Sequence, residues 1–175
     1  AAGCVHAVPV SRTTSPAFDW SDRATWPGAL EGATAAYVTY PPGLGSPEAP
    51  DDIGALADLA AELGVEHLVL LSTRDKRRVL RAERRLRAAP LDHTILRAAL
   101  PAAATARAVA ELAVAALCDP PHLNRTYEIG RDGGPLPVRD PGGRGEAAPA
   151  PWRRGGRGGA PIGALRVDSE PTHSS

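Results

Sequence analysis

Apolar positions fall in short blocks separated by polar or Pro/Gly punctuation. Val5 to Val10 is the first, a strand-like run that ends in the polar cluster Ser11-Arg12-Thr13. Pro9 lies inside it, removes a backbone donor and suits only an edge strand. A second block, "AAYVTY" at 35–40, is halted by Pro41-Pro42-Gly43. Over 51–63, Ile53, Leu56, Leu59, Ala60 and Leu63 recur at helical spacing, with Asp51 placed to cap the start and Gly64 to end the helix. "HLVLLST" (67–73) is continuously apolar, as a strand covered on both faces should be. A helix over 76–88 with Val79, Leu80 and Leu86 on its apolar side follows, then a strand over 93–98. An Ala-rich helix over 102–118, burying Val109, Leu112, Ala116 and Leu117, leads to a last strand over 125–130.

Strands alternating with helices predict an α/β fold: a parallel sheet with helices on both faces and a right-handed crossover between 35–40 and 67–73. Beyond Gly130 the pattern stops. Residues 130–175 hold eleven Gly and seven Pro with no sustained apolar period, and "PWRRGGRGG" reads as low complexity. Such a stretch buries too little to offset its ordering entropy. The expected organisation is one domain over 1–130 and a disordered Gly/Pro/Arg-rich tail over 131–175.

Formal net charge is zero, so no global field draws in nucleic acid or a membrane. The charges are segregated, however. Residues 1–73 carry nine acids against Arg12 and Arg23, and residues 74–87 carry eight bases against two acids. The basic stretch has no interleaved aromatic for base stacking and reads as a solvated helix face, so no nucleic-acid partner is expected. Cys4 and Cys118 are far apart and the five histidines scattered, which gives neither a disulfide framework nor metal-ligand spacing. No apolar stretch approaches the ~20 residues that span a bilayer, and no signal peptide is visible. A cytoplasmic protein is expected, of unspecified oligomeric state.

Four blocks, "FDWSDRATWPGALEGATAAYVTY", "GALADLAAELGVEHLVLLST", "AERRLRAAPLDHTILRA" and "AVAELAVAALCDPPHLNRTYEIG", together resemble the NmrA-like proteins. These are atypical short-chain dehydrogenases/reductases, and the likeness is greatest to bacterial relatives of the ergot-alkaloid (festuclavine-type) reductases. It covers roughly residues 5–130. It implies a Rossmann-like NAD(P)-binding fold, with the cofactor across the carboxyl ends of the strands, and hydride chemistry or, in some members, cofactor sensing without catalysis. The sequence departs from the family at three points. The opening strand and its GxxGxxG turn have no counterpart ahead of Val5. The family runs through a long substrate-binding stretch between "TILRA" and the "AVAALxxP" helix block, where only about ten residues stand here. The Gly/Arg/Pro tail stands where a C-terminal subdomain should be. The expected structure is therefore an incomplete Rossmann-like sheet, with residues 1–30 packed loosely beside it.

The glycine turn matters because glycines let the backbone approach a pyrophosphate at a helix N-terminus. In "GLGSPE" (43–48) the Gly-x-Gly is followed by Pro47 and the Glu48 carboxylate, which would repel phosphate, so it does not replace the turn. Arg12, with Ser11 and Thr13, ends the strand that meets the adenosine ribose, and an arginine there suits a 2′-phosphate, favouring NADP over NAD. Tyr40, Pro41 and Pro42, and Ser72 and Thr73, end the next two strands, and the resemblance places them beside the nicotinamide half. None of Tyr37, Tyr40 and Tyr127 has a lysine four residues on, so no Tyr-x-x-x-Lys acid is present. Three readings stay open: an NADP(H)-dependent oxidoreductase acting on an unknown small molecule, a non-catalytic cofactor-sensing relative, and a truncated remnant without activity.

Overall fold

The structure, a computed structural model, describes residues 7–74, 76–98, 103–118, 122–130, 134–138 and 164–168. Among these, seven strands form one sheet: β1 (Ala7–Val10), β2 (Ala33–Val38), β3 (His67–Thr73), β4 (Asp92–Ala98), β5 (Arg125–Ile129), β6 (Pro135–Val138) and β7 (Ala164–Asp168). Their order is β1-β7-β2-β3-β4-β5-β6. β2 to β5 are parallel neighbours, and β6 and β7 run antiparallel to theirs. The helices are α1 (Trp26–Leu30), α2 (Ala49–Glu62), α3 (Lys76–Ala88) and α4 (Ala103–Cys118).

The period of two along a strand divides the core in two. Leu68 and Leu70 of β3 and Ile95 of β4 pack with Ile53 and Leu56 of α2 and Val79 and Leu86 of α3. Val69 and Leu96, one residue along, face the other way and pack with Tyr127 and Ile129 of β5 and Val109, Leu112 and Ala116 of α4. Burial on both faces is what the unbroken run at 67–73 predicts, and β3 has those bounds. The helices begin and end within a few residues of their expected positions. α2 starts at Ala49, with Glu48 at the cap position making no side-chain cap bond, so Asp51 lies inside the first turn rather than capping it. Gly64 ends α2 with a φ of +84°, a conformation that a Cβ would strain.

Residues 1–30 are not loosely packed where the structure describes them. Phe18, Trp26, Ala29 and Leu30 are buried in the same cluster as Leu68 and Ile95. Phe18, Trp20, Trp26 and Tyr40 form one aromatic group, with Trp20 edge-on to Tyr40 at 4.8 Å between ring centroids. Large aromatics bury more area than any other side chain and anchor a short segment that has no strand ladder of its own. Cys4 and the first residues of the run at 5–10 lie outside the described residues.

The sheet differs from expectation at its centre. In a doubly wound sheet of strand order 3-2-1-4-5-6 the first strand is central, so the expected incomplete sheet has a gap between the strand at Val10 and the strand at 33–38. That position is held by β7, which pairs antiparallel with β1 (Val10↔Ala164, Ala7↔Val167) and with β2 (Tyr37↔Leu165, Ala36↔Arg166). Backbone donors and acceptors on both flanks find partners in it, and buried amides left without partners are costly. β1 becomes the sheet edge, where Pro9 costs least. Within 131–175, β6 and β7 are strands of the sheet. Its remaining residues lie outside the described set.

Candidate functional site

The candidate site residues gather along the carboxyl edge of the parallel strands. Ser11, Arg12 and Thr13 follow β1, Tyr40, Pro41 and Pro42 follow β2 by a residue, and Ser72 and Thr73 close β3. With strand neighbours ~4.8 Å apart, β1 and β3 stand about 14 Å from each other with β7 and β2 between.

Arg12 sits on a turn closed by hydroxyls. The Ser11 amide donates to Thr14 Oγ1 at 2.7 Å, the single Thr14 hydroxyl hydrogen lies between the carbonyls of Pro16 (2.8 Å) and Ser11 (3.0 Å), and the Thr13 amide donates to Ser11 Oγ. Phe18 N also returns to the Ser11 carbonyl at 2.9 Å. Arg12 and Thr13 are exposed on this ordered turn, so the guanidinium is presented to solvent from a fixed backbone. Asp19 lies close enough for Arg12 to help lower its carboxyl pKa, although hydrogen bonds from Ser21 are the larger cause.

Tyr40 and Ser72 point inward. Tyr40 is buried and its hydroxyl donates to Asp52 Oδ2 at 2.8 Å, while Arg23 holds the other carboxylate oxygen at 2.7 Å. Burial first, then the Asp52 contact, push the phenol pKa up. Ser72 is buried as well and donates to Glu83 Oε1 at 2.8 Å. Each hydroxyl hydrogen is thus spent within the protein. Pro41, Pro42 and Thr73 are exposed beside them.

Beneath the carboxyl edge, on the α3 side, lies a buried charged group. Glu83 of α3 has no solvent exposure and accepts from Arg97 Nε and Nη2, from Ser72, and from Arg87 Nη2 at 3.4 Å. Arg87 Nη2 also donates to Thr126 Oγ1 at 3.1 Å. Ser72, Arg97 and Glu128 stand in one register row across β3, β4 and β5, and Glu128 lies 3.9 Å from both Arg97 and Arg74. The sequence offers a faint signal for it: Glu83 is the one acid in 76–88, and Arg97 the one charge in "HTILRA". Which face each takes is set by tertiary packing. α3 is therefore not simply a solvated basic helix, because it delivers an acid to the core. Arg77, Arg81, Arg84 and Arg85 remain on its exposed side.

The amino ends of β3 to β5 carry a second polar group, on the α4 side. Buried His67 shares a 2.9 Å bond with Thr94 Oγ1, which itself donates to the His122 carbonyl at 2.6 Å. Thr94 has one hydrogen, so His67 is the donor, through Nε2–H. His122 Nδ1 and the Tyr127 hydroxyl are 2.8 Å apart. Among the described residues, no three His, Cys, Asp or Glu side chains are grouped to hold a metal ion, and no helix is long and apolar enough to cross a membrane.

A core of parallel strands with helices on both faces is the doubly wound α/β architecture. The fold is Rossmann-like. Among solved structures it is similar to Citrobacter sp. triphenylmethane reductase complexed with NADP(H), with a TM-score of 0.53 and 16% sequence identity. The match covers 69% of this chain and 54% of the reductase, so the chain spans about half of that protein's length. No family model and no curated protein sequence matches the chain.

Arg12 is an exposed cation at the end of β1. Beside it lies β7, which runs antiparallel to β1. The residues that lead into β7 there lie outside the described set.

Proposed function

We propose that this chain is an NmrA-like relative of the atypical short-chain dehydrogenases/reductases that binds NADP(H) in preference to NAD(H) at the carboxyl edge of β1–β3. The observation that carries the reading is the exposed Arg12 on its hydroxyl-closed turn at the end of β1. The Rossmann-like fold and the four sequence blocks support it. In this reading Arg12 pairs with the 2′-phosphate through charge-assisted hydrogen bonds, and the exposed Pro41, Pro42 and Thr73 flank the nicotinamide half. A bound NADP(H) would supply hydride chemistry toward a small molecule.

The tyrosines favour a second reading, cofactor binding without catalysis. A general acid at neutral pH needs a pKa brought toward 7. All three phenols move the other way. Tyr37 is pushed up by burial, Tyr40 by burial and Asp52, and Tyr127 by burial.

Titration with NADPH and NADH, followed by nicotinamide fluorescence, tests the site. Arg12→Ala should weaken NADPH roughly 10- to 100-fold, as loss of a hydrogen-bonded charge does, and change NADH far less. Equal losses for both cofactors would contradict the 2′-phosphate role.

A further inference from the structure

The gap between β1 and β2 is a strand-receiving site with backbone ladders on both sides. Among the described residues, β1 pairs with β7 alone, so β7 is what joins β1 to the sheet. β7 comes from far away. β6 ends at Val138, opposite Thr126 near the amino end of β5, on the other edge of the sheet. β7 begins at Ala164, opposite Val10 at the carboxyl end of β1. The two points are five strand positions apart in one register row, which runs from Val138 through Thr126, Ile95, Leu70 and Val38, so they are separated by about 24 Å across the sheet. Residues 139–163 join them, and 25 residues can reach about 90 Å.

From this geometry we infer that the gap accepts Ala164–Asp168 from a second copy of the chain, in the same register as from its own. A strand added to a sheet is recognised through main-chain hydrogen bonds, and these are identical whichever copy supplies it. The exchange keeps every contact of β7 and changes only the path of 139–163, which is the condition for a swapped dimer. What keeps the strand at home is the tether. A strand on the same chain competes at an effective concentration in the millimolar range, so the full chain closes on itself at micromolar protein. A tether too short for ~24 Å removes that advantage and leaves only the second copy.

The test removes residues 141–161, leaving four residues between Val138 and Ala164. These reach about 18 Å, short of the span. Both the full and the shortened chain carry Val8→Cys and Arg166→Cys, a facing pair in the β1–β7 register. Cys4→Ser and Cys118→Ser remove other thiols. Facing Cα atoms in an antiparallel pair are close enough for a disulfide. The full chain should be a monomer by light scattering with the disulfide inside one chain. The shortened chain should be a dimer at micromolar concentration with the disulfide between chains. A shortened chain that stays monomeric, folded or unfolded, without a cross-link between chains overturns the proposal. On the shortened chain without the cysteine pair, Val167→Pro, which removes a ladder donor, should restore the monomer; a dimer that persists would also overturn it.

Discussion

Glu83 and Arg97 meet between α3 and β4 as a two-pronged ion pair, with the carboxylate wholly buried and the guanidinium 4% exposed. Breaking such a pair from one side strands the other charge in a medium that solvates it poorly. Glu83→Gln should therefore cost about 3–5 kcal/mol in denaturant unfolding. Glu83→Leu combined with Arg97→Met should cost much less, because neither charge remains. A double variant as unstable as the single one would show that the pair contributes more than mutual neutralisation.

His67 should make the protein acid-sensitive. Burial, the largest cause, lowers its pKa from 6.5 to about 4, against a smaller opposing pull from Asp92, while His93 and His122 add to the lowering. The folded state holds the ring neutral where the unfolded chain takes up a proton. Stability is therefore complete above pH 6.5 and falls as the pH drops toward 4, by about 2–3 kcal/mol from this residue. His67→Gln keeps a donor for Thr94 and should flatten that part of the pH profile. An unchanged slope between pH 6.5 and 4 would assign the titration to other groups.

Tyr40→Phe removes the bond to Asp52 but leaves the ring against Trp20 and leaves Arg23 on the carboxylate. The expected loss is about 1 kcal/mol of stability. NADPH affinity should stay the same, since the hydroxyl faces the protein. A fall in affinity without a fall in stability would place Tyr40 in the site.

Much of the fold was legible because local pattern and tertiary outcome agree. The run at 67–73 is apolar because both faces of β3 are covered, and Pro9 pointed to an edge strand because a ladder donor is missing. β7 was not legible. Ala164–Asp168 is a five-residue run within Gly/Pro-rich sequence, and nothing local says that a gap at the far side of the sheet will receive it in reverse. The site divides the same way. Arg12 is read from its place at a strand end, whereas the inward turn of Tyr40 and Ser72 depends on Asp52 and Glu83, which are 12 and 11 residues further on.

Calorimetric titration of the purified full chain with NADPH tests the proposed cofactor site most directly. Saturable binding with a micromolar Kd is expected, with a clearly weaker response to NADH. No binding of NADPH up to millimolar concentration would contradict it.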